Sequence, residues 1–352
     1  MVNVLALNCE EHEGLLRALT AELPVQLALA RFDLPWEEIA ARRRGLKTGR
    51  AVPIPAELAQ ALAKAEVVFG FSLPTDATAL APRLRWVETP ATGFDQLRFT
   101  GVLENPSIAV TTVGGLFAPE VAEHAFALLL GLSRRLPFFV EAQRNCRWLP
   151  GPVTELRGRT LAIVGLGNIG TAVARLARAF GMVVVATRPR RQTPPPGLVD
   201  RLYDRSELRE MLSVADVVVV SVTGAEANRG LIGARELQCM KRSAFLINVS
   251  RGFVLEEDAL IAALRDGLIA GAGLDVFVEE PLPASSPLWS LPNVLLTPHV
   301  AITLASRLPR CIEHFAENLA RYCRGEALRD LVEPSARPNS LSEAREAGRI
   351  TG

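Results

Sequence analysis

The sequence predicts an α/β protein of two domains, each built around a parallel β-sheet. Its 352 residues are enough for about two domains of roughly 150 residues each. Short apolar segments alternate with helical segments along most of the chain, which is typical of parallel sheets covered by helices. In addition, residues 160–191 have the pattern of a strand, a glycine-rich turn, a helix and a second strand.

The first third of the chain is predicted to form a small α/β domain. Strands are expected at residues 2–7, 67–70, 84–88 and 108–112, because these segments are short and apolar. One helix ends at Leu23 and a second covers residues 56–65. The third strand runs into a loop, residues 89–95, that contains Thr92 and Gly93.

A basic cluster interrupts this domain between residues 35 and 55. Its members are Arg42, Arg43, Arg44, Lys47 and Arg50. Such a cluster is usually a solvated face. The alternative is a lid, or a contact to an anionic substrate or cofactor, and the sequence leaves both interpretations open.

A long helix is predicted over residues 118–136, with Pro119 near its first turn. Apolar side chains nearly circle its axis, so the helix must be buried between domains or between subunits. Burial between subunits predicts a homodimer. Glu123 and His124 are interpreted as hydrogen-bonded interface residues, with a functional role as the alternative.

The βαβ unit begins with a strand at residues 160–164 and continues with Gly165-Leu-Gly167-Asn168-Ile169-Gly170. Gly165 permits a tight turn, Gly167 lets the backbone approach a pyrophosphate, and Gly170 lets the helix pack closely on the strand. The N–H groups that open the helix then face an anionic ligand. This arrangement predicts a Rossmann-type, doubly wound, dinucleotide-binding domain.

Strands and helices continue to alternate after this unit. Further strands are expected at residues 216–223, 244–249, 271–277 and 294–297, and an amphipathic helix at residues 303–322. We expect the dinucleotide-binding domain at residues 108–299. It is inserted into a substrate domain made of residues 1–107 and 300–332. Residues 333–352 are polar and rich in Pro, Gly and Ser, and they predict a disordered tail.

Polar residues gather where the later strands end. Since ligands of an open parallel sheet bind beyond the carboxyl ends of its strands, these positions are candidates for the site. Beyond the glycine turn, the candidate cofactor-binding residues are Thr187, Arg188, Arg190, Val222, Thr223, Val249 and Asp275. Arg251, Glu280 and His299 follow the strands at the same edge.

The segments LINVSRG, GLDVFVEEP and LLTPHVA follow GLGNIG in this order. Together with PEVAEHAFALLLGLSRRLP and RYCRGEAL, they make the chain resemble the D-isomer-specific 2-hydroxyacid dehydrogenase family along nearly its whole length. The resemblance implies a smaller flavodoxin-like substrate domain. It also implies reduction of 2-keto acids, or oxidation of D-2-hydroxy acids, with a nicotinamide cofactor. By position, Arg251, Glu280 and His299 match the family's catalytic trio.

These residue types suit that chemistry. Reduction of a carbonyl needs a proton on its oxygen, and histidine, with an ordinary pKa of about 6.5, can supply one. A carboxylate on the other ring nitrogen favours the imidazolium, and Glu280 is preferred over Glu279 because it directly precedes Pro281. Arg251 can grip the substrate carboxylate through two parallel bonds. The alternatives are that Glu280 is a turn residue and His299 a packed interdomain side chain.

The loop with Thr92 and Gly93 resembles the family's loop whose backbone amides bind the substrate carboxylate. Gln96 departs from that pattern, because Asn or His is common there. The departure puts the identity of the substrate in doubt, not the reaction. We expect a small 2-keto acid, with glyoxylate or hydroxypyruvate as the leading guesses from the resemblance.

The residues at the end of the second strand of the βαβ unit indicate which nicotinamide cofactor the protein uses. NAD-binding units usually carry Asp or Glu there, whereas this chain has Thr187 followed by Arg188, Arg190 and Arg191. These arginines could bind a 2′-phosphate, so NADP(H) is predicted over NAD(H), which stays possible. The alternative is that the arginines only cover the surface.

Composition argues against several other functions. Lys+Arg 39 against Asp+Glu 38 gives a net charge of +1, so no strong field attracts nucleic acid or an acidic membrane. No apolar run reaches the roughly 20 residues of a membrane span, and the N-terminus lacks a signal-peptide pattern. The five cysteines have no disulfide or metal-ligand spacing, which predicts a cytoplasmic protein without a metal.

Competing functions remain open on the sequence. One is a phosphoglycerate-type NAD-dependent dehydrogenase. A formate dehydrogenase is less expected, because those enzymes carry Gln at the position of Glu280. A dinucleotide-sensing, corepressor-like dimer without turnover is the alternative from a different class.

Overall fold

The computed structural model describes residues 1–48, 52–187, 194–302, 307–333 and 337. It divides into two compact units, one made of residues 1–116 with 304–352 and the other of residues 117–303. The sequence predicted the first boundary before the strand Ala109–Thr112, between residues 107 and 108. In the structure this boundary falls after the strand, between residues 116 and 117. The reason is that this strand pairs with its predecessor, Trp86–Thr89, in the sheet of the first unit.

The first unit contains a five-stranded, fully parallel sheet of flavodoxin-like order β2-β1-β3-β4-β5. Its strands are β1 (Val2–Leu7), β2 (Val25–Ala30), β3 (Val67–Phe69), β4 (Trp86–Thr89) and β5 (Ala109–Thr112). Its helices are α1 (Glu13–Thr20), α2 (Trp36–Arg43), α3 (Ala56–Lys64), α4 (Ala77–Leu80) and α11 (Arg307–Cys323).

The second unit contains a seven-stranded parallel sheet of order β12-β11-β10-β9-β6-β7-β8. Its strands are β6 (Thr160–Val164), β7 (Val183–Thr187), β8 (Arg201–Tyr203), β9 (Val217–Val220), β10 (Phe245–Asn248), β11 (Gly271–Leu274) and β12 (Val294–Leu296). Its helices are α5 (Ala118–Ser133), α6 (Leu136–Arg144), α7 (Asn168–Ala179), α8 (Leu208–Val214), α9 (Ala234–Cys239) and α10 (Glu257–Arg265). The order reverses direction between β6 and β9, which makes it the Rossmann arrangement.

Apolar clusters cover both faces of the second sheet. On β9, Val217 and Val219 enter one cluster while Val218 and Val220 enter the other. Because successive side chains of a strand point to opposite faces, a strand buried on both sides must be apolar at every position. This explains the uninterrupted Val217–Val220 run.

The helix predicted over residues 118–136 is buried, as expected, but its predicted length is wrong. It ends at Ser133, Arg135 takes a left-handed conformation with φ 55°, and a separate helix, α6, begins at Leu136. The apolar circumference of α5 is buried inside the second unit, where its side chains join the core that also contains α7 residues. Its hydrophobicity is therefore accounted for within one subunit.

The basic cluster is not simply a solvated face, which corrects that interpretation. Arg42 is 1% exposed: it bonds Glu38 at 3.0 Å and donates to the Leu73 carbonyl. Arg43 lies over the Trp36 ring, and Lys47 over the Phe99 ring. Arg50 lies outside the described residues, as do residues 334–336 and 338–352 of the predicted tail.

Candidate active site

The glycine turn forms the junction of β6 and α7. Gly165 has φ 102°, and a Cβ there would come within 2.8 Å of the Val222 backbone nitrogen. A Cβ on Gly170 would lie 2.3 Å from the Gly165 carbonyl oxygen, so only glycine fits without a shift. A Cβ on Gly167, in contrast, would have no atom of the described residues outside its own turn within 4 Å. The open space at Gly167 is where a ligand can approach the backbone.

The first turn of α7 is suited to an anion. No side chain among the described residues caps this helix at Gly167, and the backbone bonding of the turn starts with the Thr171 amide, which donates to the Gly167 carbonyl. The amides of Asn168, Ile169 and Gly170 therefore remain at the positive end of the helix dipole. These residues fit the pyrophosphate of a dinucleotide cofactor.

Two hydroxyls brace the turn from neighbouring strands. Thr187, the last residue of β7, accepts from the Gly165 amide at 2.8 Å. Ser221, just after β9, donates to the Gly165 carbonyl at 2.8 Å. Ser221 was not among the candidate cofactor-binding residues, because the sequence placed it inside a strand over residues 216–223, whereas β9 ends at Val220. Val222 and Thr223 follow it, and Val249 is buried after β10.

The three residues of the predicted trio belong to the carboxyl side of neighbouring strands. Arg251 comes three residues after β10, Glu280 lies in the segment after β11, and His299 comes three residues after β12. Since β10, β11 and β12 are adjacent and parallel, their ends share one sheet edge. Arg251 is half-buried and donates from Nη1 to the Ser250 carbonyl at 2.8 Å.

His299 and Glu280 form a direct pair. His299 Nδ1 lies 2.8 Å from Glu280 Oε2, and the two side chains are 26% and 13% exposed. Glu280 Oε1 accepts from the Phe277 amide at 3.1 Å, which orients the carboxylate. Glu279 is exposed, and the carboxylate on the ring is that of Glu280. The imidazole therefore has one nitrogen on a carboxylate and presents Nε2 from its other side.

Asp275 binds the backbone around His299. Its Oδ1 accepts from Thr297 Oγ1 at 2.6 Å and from the Val300 amide at 3.0 Å, and its Oδ2 accepts from the Ala301 amide at 3.1 Å. Burial works to raise the pKa of the Asp275 carboxyl, but hydrogen bonds from His124, Thr297 and Val300 outweigh it and hold that pKa below its usual range. These bonds engage both carboxylate oxygens of Asp275 in the turn. Its predicted contact with the cofactor stays a prediction.

The predicted substrate loop lies in the first unit, after β4. Thr92 and Gly93 are half-buried. Gln96, the departure noted above, is buried and donates to Thr89 Oγ1 at 2.9 Å and to the Gly93 carbonyl at 3.2 Å. The amide of Gln96 thus holds the loop in shape. Arg307, which sequence reasoning missed, donates to the Pro90 carbonyl beside it.

The arginines expected to select the cofactor, Arg188, Arg190 and Arg191, lie outside the described residues. Within the described part of the chain, no three His, Cys, Asp or Glu side chains cluster as metal ligands. Among the helices in those same ranges, none has the length and apolar character needed to cross a membrane. All five cysteines are free.

The second unit has a Rossmann-ordered sheet, and its glycine turn lies where the strand order reverses. A histidine–carboxylate pair lies at the carboxyl edge of the same sheet. This combination is typical of a dinucleotide-dependent oxidoreductase. Comparison with known proteins narrows the class. The NAD-binding-domain profile of the D-isomer-specific 2-hydroxyacid dehydrogenases matches residues 126–301. The chain belongs to this family and is an NAD(P)-dependent oxidoreductase.

Individual relatives agree with this assignment. The chain is 39% identical to a glyoxylate reductase of Korarchaeum cryptofilum over 74% of its length and 80% of the relative's. It is 34% identical to glyoxylate/hydroxypyruvate reductase B of Pectobacterium carotovorum, over 78% of this chain and 87% of the relative. A D-isomer-specific 2-hydroxyacid dehydrogenase of Xanthobacter autotrophicus, solved with NADPH and MES, is 28% identical with TM-score 0.75, covering 95% of this chain and 99% of that one. These relatives support 2-keto-acid reduction as the reaction class.

Proposed function

We propose that the protein reduces a small 2-keto acid, of the glyoxylate or hydroxypyruvate type, to the D-2-hydroxy acid with NADPH. The observation that carries this proposal is the 2.8 Å pair of His299 and Glu280 at the edge where the glycine turn also lies. Two of the relatives described above are named as reductases of these substrates.

The nicotinamide ring, when bound, supplies the hydride to the keto carbon. His299 then gives the proton from Nε2 to the keto oxygen, while Glu280 on Nδ1 stabilises the imidazolium before transfer and keeps the ring oriented. In the oxidative direction the same nitrogen accepts the proton. Arg251, whose guanidinium is always charged, binds the substrate carboxylate and polarises the keto oxygen. Substrate contacts of Thr92 and Gly93 stay a prediction.

The preference for NADP(H) rests on the end of β7. Thr187 stands at this end, and its hydroxyl oxygen accepts from the Gly165 amide. Residues 187–193 contain no Asp or Glu that would repel a 2′-phosphate. Arg188 and Arg190 follow in sequence. A charge-assisted bond to phosphate contributes about 1.5–3 kcal/mol, or roughly 10- to 100-fold in affinity. The Xanthobacter relative was solved with NADPH.

The test is oxidation of NADPH and NADH, under identical conditions, against a panel of 2-keto acids. We expect turnover with glyoxylate or hydroxypyruvate, and higher kcat/KM with NADPH. Arg188→Ala should raise the KM for NADPH more than the KM for NADH, and Arg83→Ala, far from β7 in sequence, serves as the charge-matched control. Equal or better turnover with NADH refutes the cofactor preference, and no turnover with any keto acid refutes the reductase.

The proton donor is tested separately with His299→Ala. This variant should lose most activity and still bind NADPH, because the glycine turn is built by other strands. Normal turnover by His299→Ala would remove the histidine from the mechanism.

A homodimer is part of the same proposal, on a different surface from the one expected. Trp148 is 96% exposed, and Leu136 and Val140 on α6 are exposed as well. The three residues lie close together in sequence, and we propose that they contribute to one protein-binding surface. Light scattering should give a dimer that Trp148→Ser weakens, and a monomer at all concentrations would contradict it. The free cysteines are consistent with the cytoplasmic setting that we also propose.

A further inference from the structure

The turn that carries His299 is closed by one buried carboxylate. Asp275, 1% exposed, accepts from Thr297 on one side of His299 and from Val300 and Ala301 on the other. His299 itself has φ 54°, a left-handed conformation that non-glycine residues adopt only when their surroundings hold them there. The orientation of the imidazole therefore depends on how firmly Asp275 holds this turn.

A second histidine completes the network from a distant part of the chain. His124 on α5 lies 173 positions away from Thr297, and its Nε2 is 2.8 Å from Thr297 Oγ1. The same Nε2 is 3.3 Å from Asp275 Oδ1. The His124 side chain is 19% exposed, so water competes little for these contacts.

Hydrogen-bond counting sets the direction of these bonds. The hydrogen bonds that lower the pKa of Asp275 keep its carboxylate ionised, so it only accepts. The Thr297 hydroxyl has a single proton, which goes to Asp275 Oδ1 at 2.6 Å. Thr297 Oγ1 must therefore accept from His124, and His124 carries its proton on Nε2.

We propose that His124 is a positioning residue for the proton donor. Its Nε2–H fixes the Thr297 hydroxyl against Asp275, which in turn fixes the turn of residues 297–301 and the orientation of the His299 ring toward Glu280. This inference rests on the proposed function, in which His299 transfers the proton. His124 itself does not touch the substrate in this scheme.

The kinetic test compares His124→Leu, His124→Gln and Glu123→Gln. The leucine variant removes the donor, the glutamine variant keeps an N–H donor, and Glu123 is an exposed neighbour on the same helix. Loss of one hydrogen bond to this network should lower kcat about 10-fold in His124→Leu, with KM values nearly unchanged. His124→Gln should recover most of the loss and Glu123→Gln should behave as the wild type. A wild-type kcat in His124→Leu overturns the proposal.

The coupling between His124 and Thr297 gives a second kinetic test. Thr297→Val removes the nearer acceptor of the His124 Nε2–H and leaves Asp275 Oδ1, 3.3 Å away, as the other. The kcat losses of His124→Leu and Thr297→Val should therefore be less than additive in the double variant. Additive losses in the double variant would mean that the two residues act independently, which refutes the network.

An NMR measurement decides the inference without turnover. The chain has only four histidines, so ring ¹H–¹⁵N spectra can be assigned by single substitutions. His124→Leu should shift or broaden the His299 ring signals and leave those of His12 unchanged. Unchanged His299 signals in a folded His124→Leu protein refute the positioning role. If the wild type reduces no keto acid, the proposed function fails, and the NMR result still decides the positioning role.

Discussion

His314 should make the stability of the first unit depend on pH. Its ring lies between two carboxylates: Nδ1 is 3.0 Å from Glu88 Oε1, and Nε2 is 3.0 Å from Asp330 Oδ2. Glu88 is 0% exposed and also accepts from Thr111 and Asn318. Both ring nitrogens must carry protons to donate to both carboxylates, so the protonated imidazole is the form that the fold requires.

The magnitude follows from the pKa. Burial works to lower the pKa of His314, but hydrogen bonds to Asp330 and Glu88 outweigh it and raise the pKa to about 9, against 6.5 for an ordinary histidine. Because the pKa is higher in the folded protein, the stabilisation is fully present below about pH 6.5 and is lost as pH rises through about 9. The difference corresponds to about 3 kcal/mol of unfolding free energy.

Urea unfolding at several pH values between 6 and 9.5, followed by tryptophan fluorescence, measures this effect. Trp86 is buried on β4 two residues from Glu88, so its emission reports on the unit that contains His314. His314→Gln should be less stable than the wild type at pH 6 and should lose most of the decline between pH 6.5 and 9. His12→Gln, a histidine of the same unit without these partners, should keep the wild-type decline. An equal decline in wild type and His314→Gln would refute the reasoning.

Three further substitutions test the site and the fold. Glu280→Gln should lower kcat about 10- to 100-fold, because it replaces a charge-assisted bond to His299, while NADPH binding by fluorescence titration stays unchanged. Gly167→Ala should keep wild-type thermal stability, since the new methyl meets no atom of the described residues outside its own turn. It should bind NADPH more weakly, because the methyl lies where the ligand approaches the backbone, and equal binding would contradict the assignment of the turn. Arg42→Met should lower the free energy of unfolding by about 3 kcal/mol, because it leaves the Glu38 carboxylate buried without its cation. Urea unfolding measures this loss, with Arg17→Met, at an exposed ion pair, as the control.

Much of the architecture was determined by local sequence alone. The glycine turn, the all-apolar strands and the residues that follow them are local patterns. In a parallel sheet covered on both faces, the polar residues that follow the strands all lie at the carboxyl edge of the sheet. For this reason Arg251, Glu280 and His299 could be named from their positions after strands. The resemblance of the later motifs to one enzyme family pointed to the same residues.

Only the tertiary structure decided which partners those residues have. Asp275 was expected to contact the cofactor, and the structure commits its carboxylate to the turn around His299. His124 was one histidine on an apolar helix until folding placed it 2.8 Å from Thr297, 173 positions away. Arg42 belonged to a basic run, and folding buried it against Glu38 and Leu73. Short-range patterns determine strands, helices and turns, whereas hydrogen bonds between distant segments depend on the packing of the whole unit, which no local pattern encodes.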